Sequence, residues 1–323
     1  MTPPDPQRLS APLPRDTTQL HAIATAQQGF LTLGQAAESG LSESAVRHLV
    51  ERGDWYAVGR GLRRVSGFAD DDPWRDRVRC ALLLAGPGAL AAGHTAARLH
   101  GLVGAPALAP CWLVVPPQRH PQRRPGVRVT RTVVATDDVT AVAGIPATSV
   151  GRTLLDVARH GDRLSAVCLL ESAVRGGWAD LEKFRATVQG IAGQRGSLRA
   201  TTALHGVDMR SESPLETRAR LLLLAAGLPY PELQYPVAPG DCRRIDLAYK
   251  APAGSAYTGL AIEIDGREVH ARAEAFDRDP RRQTALEEAL WLVRRFTARH
   301  LDDPAYVIQT VRRALARIGN PTN

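Results

Sequence analysis

The sequence predicts an α+β chain of more than one domain, and three observations predict it. Residues 17–68 read as three short helices followed by an alternating stretch folded about a Gly-Arg-Gly turn. Residues 73–205 mix helical and strand patterns without a repeat. Residues 211–323 read as a helix, three strands, a helix, a strand and a helix. At 323 residues the chain is also too long for one ordinary core.

The first sixteen residues, MTPPDPQRLSAPLPRD, are proline-rich and charged and read as a disordered tail. They lack the apolar stretch of a signal peptide. TTQLHAIATAQQGF then reads as a helix, and LTLGQAAESG as a short one with Thr32 near its start and Gly40 past its end. LSESAVRHLVERGDW is a third helix with Ser42 as its N-cap, because a serine oxygen can take a free backbone N–H of the first turn. WYAVGRGLRRVSG alternates as a hairpin does. This is the order of a winged helix-turn-helix. Ser42–Arg52 becomes the recognition helix, with Ser44, Arg47 and His48 as DNA-contacting residues. Arg60, Arg63 and Arg64 sit on the wing, as phosphate contacts or as a solvated basic face.

In the middle stretch WRDRVRCALLLAG and HTAARLHGL read as helices, CWLVVPP and GVRVTRTVV as strands. Residues 149–192 are helical, with breaks at His160–Asp162 and Gly176–Gly177. QRGSLRATTALHGVDMRSES is polar and reads as a linker or docking segment. His94 and His100 are six apart, off the helical i,i+4 spacing of a metal pair, and read as structural.

In the last stretch SPLETRARLLLLAAGL is a helix with Ser213 as cap, Pro214 at its first position and Gly227 past its end. YPELQYPV, RRIDLAYK and GLAIEIDG are strands, a helix covers about 279–289, WLVRRFT is a strand and DPAYVIQTVRRALARI a closing helix. Alternation sets Ile245 and Leu247 on one face with Asp246 opposite, and Ile262 and Ile264 on one face with Glu263 and Asp265 opposite. If the two strands pair, three carboxylates converge. Such a group is costly to bury unpaired, and a divalent cation removes the cost.

Composition narrows the partners. The chain is 44% hydrophobic and 23% charged, which is globular. Lys+Arg 41 against Asp+Glu 33 gives a net charge of +8, favouring polyanions such as DNA or RNA. Only Lys183 and Lys250 are lysines, and a GC-rich genome also produces an arginine- and alanine-rich, lysine-poor chain, which discounts that signal. Cys80, Cys111, Cys168 and Cys242 form no C-x-x-C pair and read as reduced cytoplasmic thiols. No apolar run is long enough to span a bilayer, so no membrane partner is expected.

Two stretches resemble known families. Glu216 on a helix, Asp246 on a strand, Glu263-x-Asp265-Gly266, His270, Asp279-x-x-Arg282 and Trp291-x-Val293-x-Arg295-x-Thr297 resemble the PD-(D/E)XK nuclease superfamily over about 211–316. Within it they are similar to the uncharacterised bacterial domain family related to the Vsr very-short-patch-repair endonuclease. The resemblance implies a restriction-endonuclease-like α/β domain with a central mixed sheet and Mg²⁺-dependent (or Mn²⁺-dependent) cleavage of DNA phosphodiester bonds. It implies Asp246 and Glu263 as metal ligands and Glu216 as an accessory acid, and His270 can fill the role of general acid or base; Arg282 is a candidate DNA contact, and Arg295 points toward the acidic face or a DNA phosphate. Asp265 stands where the superfamily places its lysine.

Each residue has a plainer reading. Ser213-x-x-Glu216 is a capping box. Asp246 and Glu263 also suit a solvated sheet edge. Asp265 before Gly266 suits a turn. His270 suits a surface, and Asp279 with Arg282 suits a helix-surface pair.

The second resemblance covers about 17–160. QGFLTLGQAAESGLS…GDWYAVGRGLRRV, GHTAARLHGL and GIPATSVGRTLLDVAR resemble the antitoxin of type IV, AbiEi-type toxin–antitoxin systems. That implies a DNA-binding domain, a second domain and a possible cognate toxin. The expectation is therefore a disordered tail over 1–16, a winged helix-turn-helix over 17–68, a mixed α/β middle domain over 73–205 and an endonuclease-like domain over 211–323. Two functions follow: a DNA-binding endonuclease of phage defence or DNA repair, or an antitoxin-like transcriptional regulator whose nuclease fold no longer cuts.

Overall fold

The computed structural model describes residues 18–68, 72–107, 109–237, 244–265 and 284–319. The expected tail, Cys242, His270, Asp279 and Arg282 lie outside the described residues. The chain divides into two compact units, Met1–Gly101 with Pro106–Thr153, and Leu102–Ala105 with Leu154–Asn323.

The first unit opens with α1 (Thr18–Ala26), β1 (Phe30–Thr32), α2 (Leu33–Glu38), α3 (Glu43–Glu51), β2 (Trp55–Gly59) and β3 (Leu62–Val65). Thr32 starts α2 through a capping box. Its Oγ1 accepts the Gln35 N–H at 3.1 Å and Gln35 Oε1 accepts the Thr32 N–H at 2.9 Å. Gly40, at φ 83°, takes the left-handed turn that lets α3 begin. The strands form an antiparallel sheet in the order β1-β3-β2. Its turn residue Gly61 has φ 82°. Leu20, Ala24, Leu31, Ala36, Leu41, Val46, Leu49 and Trp55 make one apolar core under the three helices.

The same unit continues with α4 (Pro73–Ala85), β4 (Leu90–Ala91), α5 (Gly93–Leu99), β5 (Cys111–Val115), β6 (Val127–Arg131), a 3₁₀ turn (Thr136–Asp138), β7 (Val139–Val142) and β8 (Ile145–Thr148). These strands form a five-stranded mixed sheet in the order β6-β5-β4-β8-β7. Trp112 is its anchor. The ring is 1% exposed, its backbone N–H donates to Thr95 at 2.8 Å and its indole N–H to Thr130 at 3.0 Å. Gly93 is required beside it, since a Cβ there would collide with the indole. His100 is structural as expected: its Nε2 donates to the Thr148 carbonyl at 2.8 Å.

The second unit takes most of α6 (Val150–His160), then α7 (Arg163–Arg175), α8 (Leu181–Gly190), α9 (Ser197–Leu204) and α10 (Pro214–Ala225). The stretch expected as a polar linker is helical over α9, because Ala200, Ala203 and Leu204 are buried there. β9 (Glu232–Pro236), β10 (Arg244–Lys250), β11 (Gly259–Asp265) and β12 (Trp291–Thr297) form a mixed sheet in the order β12-β11-β10-β9. β10 is antiparallel to both neighbours, whereas β11 and β12 are parallel. Helices Ala298–Leu301 and Pro304–Arg317 close the chain. One core holds Leu223, Leu247, Leu260, Ile262, Phe296 and Val311, and a second holds Ile245, Ala248, Ala261 and Trp291. Ile245 and Leu247 therefore do not share a core, contrary to simple alternation. Gln234, opposite Asp246 in the β9–β10 register, has φ 51°, and such an irregularity turns the strand locally.

A buried polar network joins α7 to α10. Arg220 and Glu171 are each 1% exposed and meet at 2.7 Å. Arg220 also donates to the Gly206 carbonyl at 2.8 Å and the Ser211 hydroxyl at 3.2 Å. Glu171 accepts the Asp208 N–H at 2.7 Å and the Thr217 hydroxyl. Burial pushes the Glu171 carboxyl above its ordinary pKa, and these three donors oppose it. Around the rim, desolvation of Asp208 is outweighed by hydrogen bonds from Arg210 and Tyr230, which hold its carboxyl well below the usual range.

Glu171→Ala leaves a buried guanidinium without its counter-charge and is expected to cost about 3–5 kcal/mol in urea unfolding followed by circular dichroism. The paired change Glu171→Leu with Arg220→Met is expected to cost far less than the two single losses added together.

Candidate nucleic-acid interface and the acidic strand pair

The amphipathic division of α3 builds the first site. Val46 and Leu49 are buried in the helical core. Ser44, Arg47 and His48 are exposed, at the i, i+3, i+4 spacing that sets them on one face. Ser42 holds the start of the helix, accepting the Ala45 N–H at 3.2 Å, and its hydroxyl lies 2.9 Å from that of Ser44. The outward face therefore carries one permanent cation, one titratable ring and one hydroxyl, all able to donate to phosphate or base edges.

The hairpin supplies less charge than its sequence suggests. Arg60 is exposed at the turn. Arg63 is half-buried, its Nη1 donating to the Leu62 carbonyl at 3.0 Å. Arg64 is 8% exposed, pairs with Asp76 of α4 and lies 4.6 Å over the Phe30 ring. Arg64 is thus a structural cation turned inward, not a surface contact of the wing. Tyr56 (45% exposed) and Val58 (42%) lie open on the edge strand β2. The sequence reading passed over both, although bulky residues in an alternating strand beside a basic turn were the available signal.

The second site lies on β10 and β11. They pair with Leu247 opposite Ile262, and one further step of that register sets Asp246 beside Glu263. The Asp246 carboxylate reaches the neighbouring strand, its Oδ2 accepting the Ile264 N–H at 2.7 Å. Glu263 is 7% exposed, Asp246 half-buried and Asp265 exposed. Arg295 is the register partner of Glu263 across the parallel β11–β12 pair, so a cationic side chain borders the buried acid. Trp291 is core.

Glu216 serves the start of α10. Its N–H donates to the Ser213 hydroxyl at 3.2 Å, while its Oε2 accepts the Glu212 N–H at 2.8 Å and the Gln234 side-chain amide at 3.0 Å. Gln234 thus stands between Glu216 and the Asp246 position, a neighbour nothing in the sequence marked.

These surroundings bear on a cation. Asp246 is engaged by an amide, Glu263 is flanked by arginine and Glu216 has two donors. Among the described residues no group of three or more His, Cys, Asp and Glu side chains is arranged to hold a metal ion. Among the described residues, Cys80, Cys111 and Cys168 are free, and burial pushes their thiols up to about 11, 11 and 12. No helix among the described residues is long and apolar enough to cross a membrane.

Comparison with known proteins bears on the amino-terminal two-thirds. Residues 19–62 match the family model described as transcriptional regulator, AbiEi antitoxin. Residues 88–207 match the AbiEi antitoxin C-terminal domain. Two proteins of Mycobacterium tuberculosis, uncharacterized protein MT2308 (strain CDC 1551 / Oshkosh) and uncharacterized protein Rv2248 (strain ATCC 25618 / H37Rv), are each 34% identical over 177 residues. The alignment covers 52% of this chain and 63% of theirs, so it spans less than two thirds of these relatives. The crystal structure of RV2827C protein from Mycobacterium tuberculosis aligns at 18% identity with a TM-score of 0.40, over 71% of this chain and 86% of that one. The chain thus resembles an AbiEi-type antitoxin in domain order, a regulator-like segment at 19–62 followed by the antitoxin C-terminal segment at 88–207.

Proposed function

We infer that this protein is a DNA-binding transcriptional regulator of the AbiEi-antitoxin type. The amino-terminal segment acts as a winged helix-turn-helix. α2 and α3 form its helix-turn-helix, α3 enters the major groove, and the β2–β3 hairpin lies along the backbone. The observation that carries this reading is the division of α3, with Val46 and Leu49 spent on the core and Ser44, Arg47 and His48 left outward. Arg47 suits a guanine edge, Ser44 and His48 suit a phosphate or a second base, and Arg60 and Arg63 suit backbone contacts. The matched antitoxin segments add a cognate toxin as a second partner. Such a protein works in the cytoplasm, beside its DNA.

Selection from a pool of random-sequence duplexes tests it. A preferred sequence should emerge. Arg47→Ala should weaken binding to it about tenfold or more and relax the preference at one or two positions. Arg60→Ala should weaken all duplexes alike. Arg64→Ala should act through stability, lowering the melting temperature. Loss of no affinity in Arg47→Ala would remove α3 from the interface.

A second reading is hydrolysis of DNA by the carboxy-terminal domain, in phage defence or repair. Asp246 beside Glu263 favours it, and the engaged state of the described carboxylates weighs against it. Nicking of supercoiled plasmid with Mg²⁺ or Mn²⁺ separates the two. Under the regulator reading, wild type, Glu263→Ala and an EDTA control give equal traces. Nicking by the wild type alone would replace that reading with a nuclease and put Glu263 in its site.

A further inference from the structure

The first unit holds a cavity of about 540 Å³ that neither the outward face of α3 nor the acidic strands use. Its polar wall comes from the turn after α1 and from α2, with Gln27, Gln35 and Glu38. Its apolar wall comes from Leu82 and Leu83 of α4, from Ala89, and from Ile145 and Pro146 of β8. A volume in the range of roughly 300–1,000 Å³, apolar walls and a few placed polar groups are the marks of a small-molecule site.

Gln27 and Gln35 decide what fits. Their carboxamides exchange two hydrogen bonds, Gln27 Nε2 donating to Gln35 Oε1 at 3.2 Å and Gln35 Nε2 to Gln27 Oε1 at 3.0 Å. Gln27 Nε2 also donates to the Phe30 carbonyl at 2.8 Å, and Gln35 Oε1 also accepts the Thr32 N–H at 2.9 Å. A primary amide offers two N–H donors and two carbonyl lone pairs. Both donors of Gln27 and both lone pairs of Gln35 are therefore spent. Among the described residues, one N–H of Gln35 and one lone pair of Gln27 are left over, on two atoms 3.0 Å apart. Holding the turn against α2 accounts for the spent groups and not for the two that remain.

The charges at the cavity cancel. Glu38 and Arg79 are the two charged residues of the lining, opposite in sign, and Arg79 pairs with Asp76 at 3.5 Å. The walls are also held in place. Gln28, next to Gln27, has φ 55°, and Ala143, next to Gly144 of the lining, has φ 49°. Residues other than glycine rarely take that conformation, and those that do collect at ligand sites.

We propose that this cavity binds a neutral, planar small molecule with an apolar ring and a lactam or carboxamide edge. The ring lies against Leu82, Leu83 and Ile145. The ligand carbonyl accepts the spare Gln35 N–H, and the ligand N–H donates to Gln27 Oε1. A lactam carries its acceptor and donor on adjacent groups, so it meets both at once. An analogue without the N–H leaves the Gln27 oxygen covered and unpaired, and a site built this way discriminates against it. This inference goes beyond the DNA-binding reading, and its test needs no DNA.

Isoquinolone, a bicyclic lactam, is the probe. It is titrated into the full chain and followed by saturation-transfer NMR, beside N-methylisoquinolone and naphthoate. Isoquinolone is expected to saturate with a dissociation constant on the order of 1 mM or tighter, as its roughly ten heavy atoms permit. The N-methyl analogue and naphthoate are expected to bind about tenfold more weakly or worse. Leu83→Trp fills the apolar side and abolishes binding. Gln35→Glu keeps an oxygen for the Thr32 N–H, replaces the spare donor with a carboxylate, and weakens binding about tenfold or more. Equal melting temperatures exclude a folding defect, and if Leu83→Trp fails to fold, Gln35→Glu carries the test. No saturation by isoquinolone at about ten times the expected constant overturns the inference. Undiminished binding to Gln35→Glu, or equal binding of isoquinolone and its N-methyl analogue, also overturns it.

Discussion

The ion pair between Arg64 and Asp76 is the constraint on which the amino-terminal unit depends. Arg64 sits on the central strand of the small sheet, opposite Phe30 on one side and Tyr56 on the other. A guanidinium buried there is tolerable only with a counter-charge, and Asp76 of α4 provides it. That pairing ties β3 to a helix whose Val78, Ala81, Leu82 and Ala85 belong to the core under the five-stranded sheet. One face of the hairpin is thereby committed to the interior. What remains for a partner is the turn with Arg60, the flank with Arg63 and the outward stripe of α3. The site is defined as much by what the ion pair takes away as by what it leaves.

The carboxy-terminal unit follows the same logic with different residues. Glu171 and Arg220 are a costly pair to bury, and the segment between α9 and α10 supplies the remaining partners through Gly206, Asp208 and Ser211. On the mixed sheet, Asp246 is used by the Ile264 amide and Glu263 lies beside Arg295. The matched antitoxin segments, not the acidic strands, favour a regulator over a hydrolase.

Local signals were legible in the sequence and long-range ones were not. The caps of Thr32, Ser42 and Ser213 with Pro214 depend on atoms within four residues, and the helices begin where those caps place them. The hairpin around Gly61 was legible for the same reason. β1 and β4 are three and two residues long and exist through pairing with distant strands, while β7 and β8 are four residues each and pair with one another across a tight turn; all four are too short for periodicity to announce them. α9 looked like a linker because its polar residues outnumber the three that are buried. The role of Arg64 depends on an aspartate twelve residues away, and that of Glu216 on Gln234, eighteen away. In the candidate site, the outward face of α3 followed from helical spacing. Which arginine of the β2–β3 hairpin turns inward depended on α4.

The central claim is that DNA is held by the amino-terminal unit, with α3 at the interface. Amide hydrogen exchange of the full chain, with and without a selected duplex, tests it most directly. The account predicts that protection on binding concentrates in residues 42–65, and that strands 244–250 and 259–265 exchange as before. Protection confined to those acidic strands, with residues 42–65 unchanged, would contradict it.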